Sequence, residues 1–399
     1  MPLVREAPRN LDEARNYRYD FWSTQPVPQF DEIVEENTFI LADREPDQIS
    51  VQPLTLPANL KWSDVDLRDD DQLSELYVFL RDHYVEDDDN MFRFDYSLEF
   101  LRWALLTPGS FPQWYCGIRC SSSNALVAFF SAVLQKIRIY DKIKSMVELN
   151  FLCVHSKFRR LRLTPLLYQE IMRRANREGI FQAAFTSGTI IPRPYAVCRY
   201  YHRSLNPKKL IECQFSALGR KMNMEETIAF YSLPKATNIP GLRALEKKDI
   251  SSACKLFNTY SKQFQVGPVF EEPEFEHFFL PRKGIIYSFV VEKSDVVTDL
   301  ISFYTVNTSV LQHPIHKKLN IAYSFYNIAT SVSLQELMED ALILANIESF
   351  DVFNALNMTH LEEIFRPLKF GIGDGNLHYY FYNWKCPPMT PNQVALTLL

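Results

Sequence analysis

Met146-Val-Glu-Leu-Asn-Phe-Leu-Cys-Val-His155 runs directly into Ser156-Lys-Phe-Arg-Arg-Leu-Arg-Leu-Thr-Pro165, and a helical pattern then continues to about Glu178. The first segment is apolar and bounded like a buried strand. The last has helix grammar: Thr164 as N-cap, Pro165 at the first helical position, Leu166, Leu167, Ile171 and Ala175 inward, and Gly179 past the end. Strand, turn and helix together make one α/β unit. The turn carries Lys157, Arg159, Arg160 and Arg162. Unpaired N–H groups and the macrodipole converge at a helix N-terminus, and guanidinium planes match phosphate oxygens, so this turn suits a phosphate-bearing ligand. From these residues alone a solvated basic turn or a nuclear-localisation patch reads equally well.

Working outward, Leu126–Leu134 reads as a second strand, and residues 71–84 as a helix through Leu73, Leu76, Tyr77 and Leu80. A similar order recurs downstream. Residues 296–306 and 319–328 read as strands, and Ser333-Leu-Gln-Glu336 is a capping box opening a helix with Leu337, Met338, Ala341 and Ala345 inward. Phe129 to Phe151 and Phe303 to Phe325 share one spacing, which predicts a duplicated α/β unit. The expected organisation is an N-terminal arm over 1–60 and two halves, 61–222 and 223–399, meeting where Pro234 and Pro240 interrupt the pattern. The fold class is α/β (α+β), a mixed sheet flanked by helices.

Composition narrows the chemistry. Only 11 of 399 residues are glycine, and neither G-x-G-x-x-G nor G-x-x-x-x-G-K-[ST] can be written anywhere. Three of those glycines, Gly371, Gly373 and Gly375, crowd into five residues. A net charge of −5 argues against nucleic acid as partner, and the longest nearly apolar run, Ala125–Leu134, is too short to span a bilayer. Seven scattered cysteines read as reduced thiols, and the start of the chain has no apolar signal region, so a cytoplasmic protein is expected. His313 and His316 lack acidic or Cys partners for zinc, and the acidic run Glu86–Asp89 lacks the glycine of a calcium loop, so no metal is expected.

Several stretches resemble one family: Glu148-Leu-Asn-Phe-Leu-Cys-Val-His155, Lys369-Phe-Gly-Ile-Gly-Asp-Gly-Asn-Leu-His-Tyr-Tyr-Phe-Tyr-Asn-Trp-Lys385, Tyr84–Tyr96, Cys198–Pro207 and Tyr323–Asn327. They are similar to N-myristoyltransferases (glycylpeptide N-tetradecanoyltransferases), and the likeness runs from about Phe21 to Leu399. The resemblance implies transfer of myristate from myristoyl-CoA, as co-substrate, to the N-terminal glycine amine of peptides and proteins. It implies no tightly bound cofactor, a monomer, and two GNAT-like halves related by a pseudo-twofold axis. The N-terminal half then mainly binds acyl-CoA, and the C-terminal half supplies much of the peptide groove.

The resemblance also assigns residues. The backbone N–H groups of Phe151 and Leu152 would form an oxyanion hole, which requires a bulge in their strand. The C-terminal carboxylate of Leu399 would be the base, with Thr186 and Asn150 holding the amine. A free α-carboxyl titrates near about 3.5 and an α-amine near about 8, so burial against Leu396 and Leu398 is expected to raise the former. Acyl-CoA would contact Asp20, Phe21, Trp22, Phe151, Leu152, Cys153, Val154, Arg160, Arg162, Leu163 and Thr164. Asp20 stands where the family usually has Gln, and Leu161 where it usually has Lys; both are expected to weaken CoA electrostatics. The peptide would contact Tyr84, Phe92, Tyr96, Tyr200, His202, Phe215, Ser324, Asn354, Asp374, Gly375 and Leu377. Two other readings stay open: a GNAT-like acyltransferase of different acyl or acceptor specificity, and an inactive acyl-CoA or lipidated-peptide binding protein.

Overall fold

The computed structural model describes residue 8 and residues 10–84, 91–219 and 221–399. The acidic run Glu86–Asp89 lies outside the described residues. In chain order the strands are β1 (Leu60–Asp64), β2 (Phe92–Asp95), β3 (Tyr115–Cys120), β4 (Leu126–Ile139), β5 (Lys142–Val154), β6 (Ala183–Ser187), β7 (Ala196–Ser204) and β8 (Arg243–Ala244). They continue as β9 (Val266–Pro268), β10 (Ile286–Lys293), β11 (Val296–Thr305), β12 (Asn307–Val310), β13 (Lys318–Leu319), β14 (Ile321–Ile328), β15 (Val352–Leu356) and β16 (Gly371–Tyr382).

The main sheet follows the order β1-β3-β4-β5-β6-β16-β7-β15-β14-β11-β10-β8, with β9 against β4. Its relations repeat from either edge inward. β4 and β5 pair antiparallel and β5 and β6 parallel; β11 and β14 pair antiparallel and β14 and β15 parallel. A twofold axis through the centre of the sheet produces that order. β16 sits at the centre, between β6 and β7.

Each repeat carries a bulge at the same place. Phe129 pairs with Cys153 but Ser131 with Asn150, which leaves an extra residue on β5 at Phe151–Leu152. Ile301 pairs with Asn327 but Phe303 with Ser324, which leaves one on β14 at Phe325–Tyr326. The common spacing of the four phenylalanines is the sequence trace of this repeat. Phe151 has φ 55°, a left-handed conformation that a residue with a Cβ adopts only when its surroundings enforce it.

Helices cover both faces. Leu163–Arg177 buries Leu167, Ile171 and Ala175 against Ala128, Phe130 and Val147, with Leu166 half-buried at the margin. Leu334–Ile347, opened by the Ser333–Glu336 capping box, buries Leu337, Met338 and Ala341 against Ile301, Phe303 and Phe353. On the other face the helices Asp70–His83, Leu98–Leu105, Ile250–Tyr260 and Glu272–Phe279 share one aromatic core that includes Phe129, Phe151 and Phe325. Among the described residues no helix is long and apolar enough to cross a membrane.

The arm lies along the outside of this body. Thr38 and Lys385 exchange both backbone hydrogen bonds, at 2.9 and 2.8 Å, and Arg173 donates to the Ser50 carbonyl at 2.7 Å. Buried Glu170 accepts from the Leu54 amide at 3.2 Å and from Arg173 and Arg174, tying the arm to the helix Leu163–Arg177.

Candidate active site

The site forms where β5 and β6 part. Their parallel pairing ends with Glu148 opposite Ala184, and Asn150 and Thr186 each follow two residues beyond that last pair. The bulge follows at once, with Phe151 buried and Leu152 half-buried. Tyr84 and Tyr96 wall it, their rings 6.0 and 5.1 Å from that of Phe151. Burial pushes the Tyr84 phenol up, and the Phe151 backbone amide partly offsets that.

The chain terminus reaches the same point. Leu396 is fully buried, Thr397 donates its amide to the Tyr326 hydroxyl at 3.2 Å, and the Leu399 amide donates to Glu148 Oε1 at 2.6 Å. Asn150 accepts at Oδ1 from Ser131 Oγ at 2.7 Å, and its amide nitrogen lies 3.5 Å from Glu148 Oε1. Asn150 and Leu399 thus meet on Glu148, a residue that the strand reading left unassigned. Its signal was visible: a carboxylate at a buried position of an apolar strand.

Beyond the bulge the chain makes a 3-10 turn, Ser156–Leu161, and then the helix Leu163–Arg177. Thr164 is not the N-cap. Arg162, at φ 52°, takes the cap position with no side-chain hydrogen bond, and Thr164 lies inside the first turn. The tight turn must swing through a left-handed residue to enter the helix, which fixes the cap at Arg162. Arg159 is spent locally, donating to the carbonyls of Val154 at 3.3 Å and His83 at 3.2 Å, whereas Arg160 and Arg162 are exposed. Cys153 is buried, its thiol pushed up to about 12 by desolvation, so it is inert beside half-buried Val154. Phe21 and Trp22 pack on Tyr168 of the helix, and Trp22 stacks on Phe185 at 5.8 Å, so the arm closes one side of the opening. Asp20 pairs with Arg18 at 2.6 Å, both exposed, which offsets the charge that it introduces.

A shallow, polar cavity of about 630 Å³ at the β1–β3 edge of the sheet lies away from the site, whereas one of about 570 Å³ adjoins it. Phe92, Tyr200, His202, Phe215, Asn354, Asp374 and Gly375 line the second. His202 Nδ1 and Asn354 Oδ1 are 2.7 Å apart, and burial holds the imidazole below its usual range. Ser324, Leu377, Thr397 and Leu398 line a smaller void that also touches Tyr200 and Asn354, linking this cavity to the chain terminus. The glycine cluster makes a wide bulge in β16: Ile372 pairs with Tyr201, and the next pair is Asn376 with Arg199. Arg199 Nε donates to the Gly373 carbonyl at 2.8 Å and holds the loop. A Cβ on Gly373 would lie 2.3 Å from His202 Nε2 and 2.8 Å from the Tyr200 carbonyl, so glycine is required for that contact. Phe94 and Tyr323, which lie within stretches that carry the family resemblance but had no role assigned there, also line this cavity, and Arg199 holds its glycine loop.

Comparison with known proteins agrees with this geometry. Residues 39–198 match the family model of the myristoyl-CoA:protein N-myristoyltransferase N-terminal domain, and residues 212–396 that of the C-terminal domain. The chain is 52% identical over 402 residues to a probable glycylpeptide N-tetradecanoyltransferase of Caenorhabditis elegans, covering 100% of this chain and 89% of that one. It is 53% identical to glycylpeptide N-tetradecanoyltransferase 2 of Bos taurus, covering 98% and 78%. The crystal structure of Saccharomyces cerevisiae N-myristoyltransferase with bound myristoyl-CoA superposes with a TM-score of 0.92 at 37% identity, covering 96% of this chain and 99% of that one. The match extends over nearly the whole chain in both sequence and fold, and the chain belongs to the myristoyl-CoA:protein N-myristoyltransferase family.

Proposed function

We propose that the chain transfers the myristoyl group of myristoyl-CoA to the amine of an N-terminal glycine. The observation that carries this reading is the Leu399 amide bonded to Glu148, three residues before the β5 bulge begins, with the neighbouring Leu398 lining the void that joins the groove. The thioester carbonyl lies at the bulge, where the Phe151 and Leu152 N–H groups stabilise the developing oxyanion. The glycine amine enters from the groove past Tyr200 and Asn354. It gives its proton to the Leu399 carboxylate; the C–N bond forms, the C–S bond breaks, and the proton passes on to the departing CoA thiolate. Asn150 and Thr186 hold the amine while it loses that proton.

Each substrate has its own surface. Arg160, Arg162 and the start of the helix at Leu163–Thr164 receive CoA phosphates, and Phe21 and Trp22 close over the acyl-CoA. The acyl tail offers about 0.8 kcal/mol per buried CH₂, enough for an apolar channel to measure chain length. Asp374, His202 and Ser324 face the peptide, and Gly375 admits its backbone.

Mass spectrometry of a glycyl peptide incubated with myristoyl-CoA tests the reading. One myristoyl amide is expected on the free amine and none on the Nα-acetylated peptide. Transfer from shorter acyl-CoAs in place of C14 would instead establish an acyltransferase of different specificity. Binding of myristoyl-CoA with no transfer at any chain length would establish a binding protein.

A further inference from the structure

Glu148 is a carboxylate on a central strand, 2% exposed, in a site whose co-substrate is a polyanion. Among the described residues it forms no ion pair. A buried carboxyl without a cation is costly unless its oxygens are hydrogen-bonded, and a purely packing role would be met by an apolar residue. Its partners are specific. Oε1 accepts the Leu399 amide at 2.6 Å and lies 3.5 Å from the Asn150 amide nitrogen, and Oε2 accepts from Gln135. The phenols of Tyr304 and Tyr326 face it from β11 and β14.

We infer that Glu148 is a positioning residue: by holding the Leu399 amide it sets the terminal carboxylate beside the β5 bulge. This rests on the reading that the terminal carboxylate is the base. The held N–H and the carboxylate share one Cα, so fixing the first leaves the second only the rotations about N–Cα and Cα–C. Thr397 anchors the segment two residues earlier, and Glu148 supplies the hydrogen bond that ties down the last residue itself. Burial pushes Glu148 up to about 7, against the opposing hydrogen bonds of Leu399, Asn150 and Gln135. In either protonation state Glu148 can accept the N–H through an unprotonated oxygen.

Steady-state kinetics with myristoyl-CoA and a glycyl peptide test the inference. Glu148→Leu is expected to lower kcat about 30-fold with both KM values within about twofold, the pattern of a lost transition-state arrangement. Glu148→Gln, whose amide oxygen still accepts, is expected to recover kcat to within about threefold of the parent. Replacing Leu399 by its α-hydroxy acid through protein ligation deletes the N–H while keeping Glu148 and the carboxylate; it should match Glu148→Leu. If Glu148→Leu does not fold, the hydroxy-acid chain decides alone. The inference is overturned if the hydroxy-acid chain keeps full kcat, if Gln is as slow as Leu, or if only KM changes. A chain lacking Leu399 separates the two readings. Normal turnover by it overturns the terminal base. If it is slow and Glu148→Leu slows it again by the full factor, the positioning role alone falls.

Discussion

The two halves place a bulge at the same point of equivalent strands, at Phe151–Leu152 and at Phe325–Tyr326, and surround it differently. In the first half the strand leads to a turn with exposed Arg160 and Arg162. In the second half the equivalent turn is closed from inside. The Asp299 carboxylate accepts the amides of Thr330, Ser331 and Val332 at 2.7, 2.8 and 3.3 Å, and the hydroxyls of Thr298 and Ser331 as well. Burial alone would raise this carboxyl, but those hydrogen bonds outweigh it and hold it below its usual range. The cleft itself is filled by the terminal segment: Thr397 bonds the Phe325 carbonyl and the Tyr326 hydroxyl, and Ala395 packs beside Tyr326 and Met358. One copy of the scaffold leaves its turn exposed. The other closes its turn with an internal anion and occupies its cleft with the terminal segment, whose last residue bonds Glu148 of the first half.

Shortening the tail breaks this contrast most severely. Deleting Leu399 is expected to reduce kcat by a factor on the order of 10² to 10³, as loss of a general base does, while acyl-CoA affinity measured by titration stays within about twofold.

Asp299→Ala, which acts from β11 on the second turn, and Arg160→Ala, which lies in the first, should give opposite readouts. The first orphans three amides and two hydroxyls and should cost about 3 kcal/mol in denaturant unfolding, with added sulfate recovering part of it. The second should leave stability unchanged and raise the acyl-CoA KM about fivefold.

Glu148 gives the first half a pH signature that the second lacks. Its folded value of about 7 exceeds the unfolded 4.5, so its contribution to stability is full below 4.5 and is lost as pH rises through 7. Unfolding of the parent chain should lose about 2 kcal/mol more than that of Glu148→Gln between roughly pH 5 and 8. Equal slopes would count against a raised carboxyl.

Another contrast lies within the glycine loop. Gly373→Ala meets His202 and the Tyr200 carbonyl too closely and should raise peptide KM about tenfold and lower stability, whereas the nearest atom to a Cβ on Gly375 is 3.7 Å away, so Gly375→Ala should leave denaturant unfolding unchanged.

Local grammar was legible in the sequence because its causes are local. The Ser333–Glu336 box opens its helix as written, and the paired phenylalanines mark both bulges. Thr164 failed as a cap because the geometry of the turn before it, not the residue type, decided where the helix starts. The site residues came from motif resemblance. What no pattern held was long-range pairing: Glu148 meets Leu399 from 251 positions away, and Asp299 caps a turn about 31 positions downstream. A buried acid advertises only that it needs partners.

The central place of β16 has a consequence for biosynthesis. Its residues 371–382 separate β6 and β7, which leave the ribosome nearly two hundred residues earlier. At about 5–20 residues per second, both strands wait on the order of ten to thirty-five seconds for the strand that joins them. For that interval the nascent chain carries open edges able to pair with the wrong partner. A chaperone that shields extended segments should therefore raise the yield of this protein most when translation is slowed between β7 and β16.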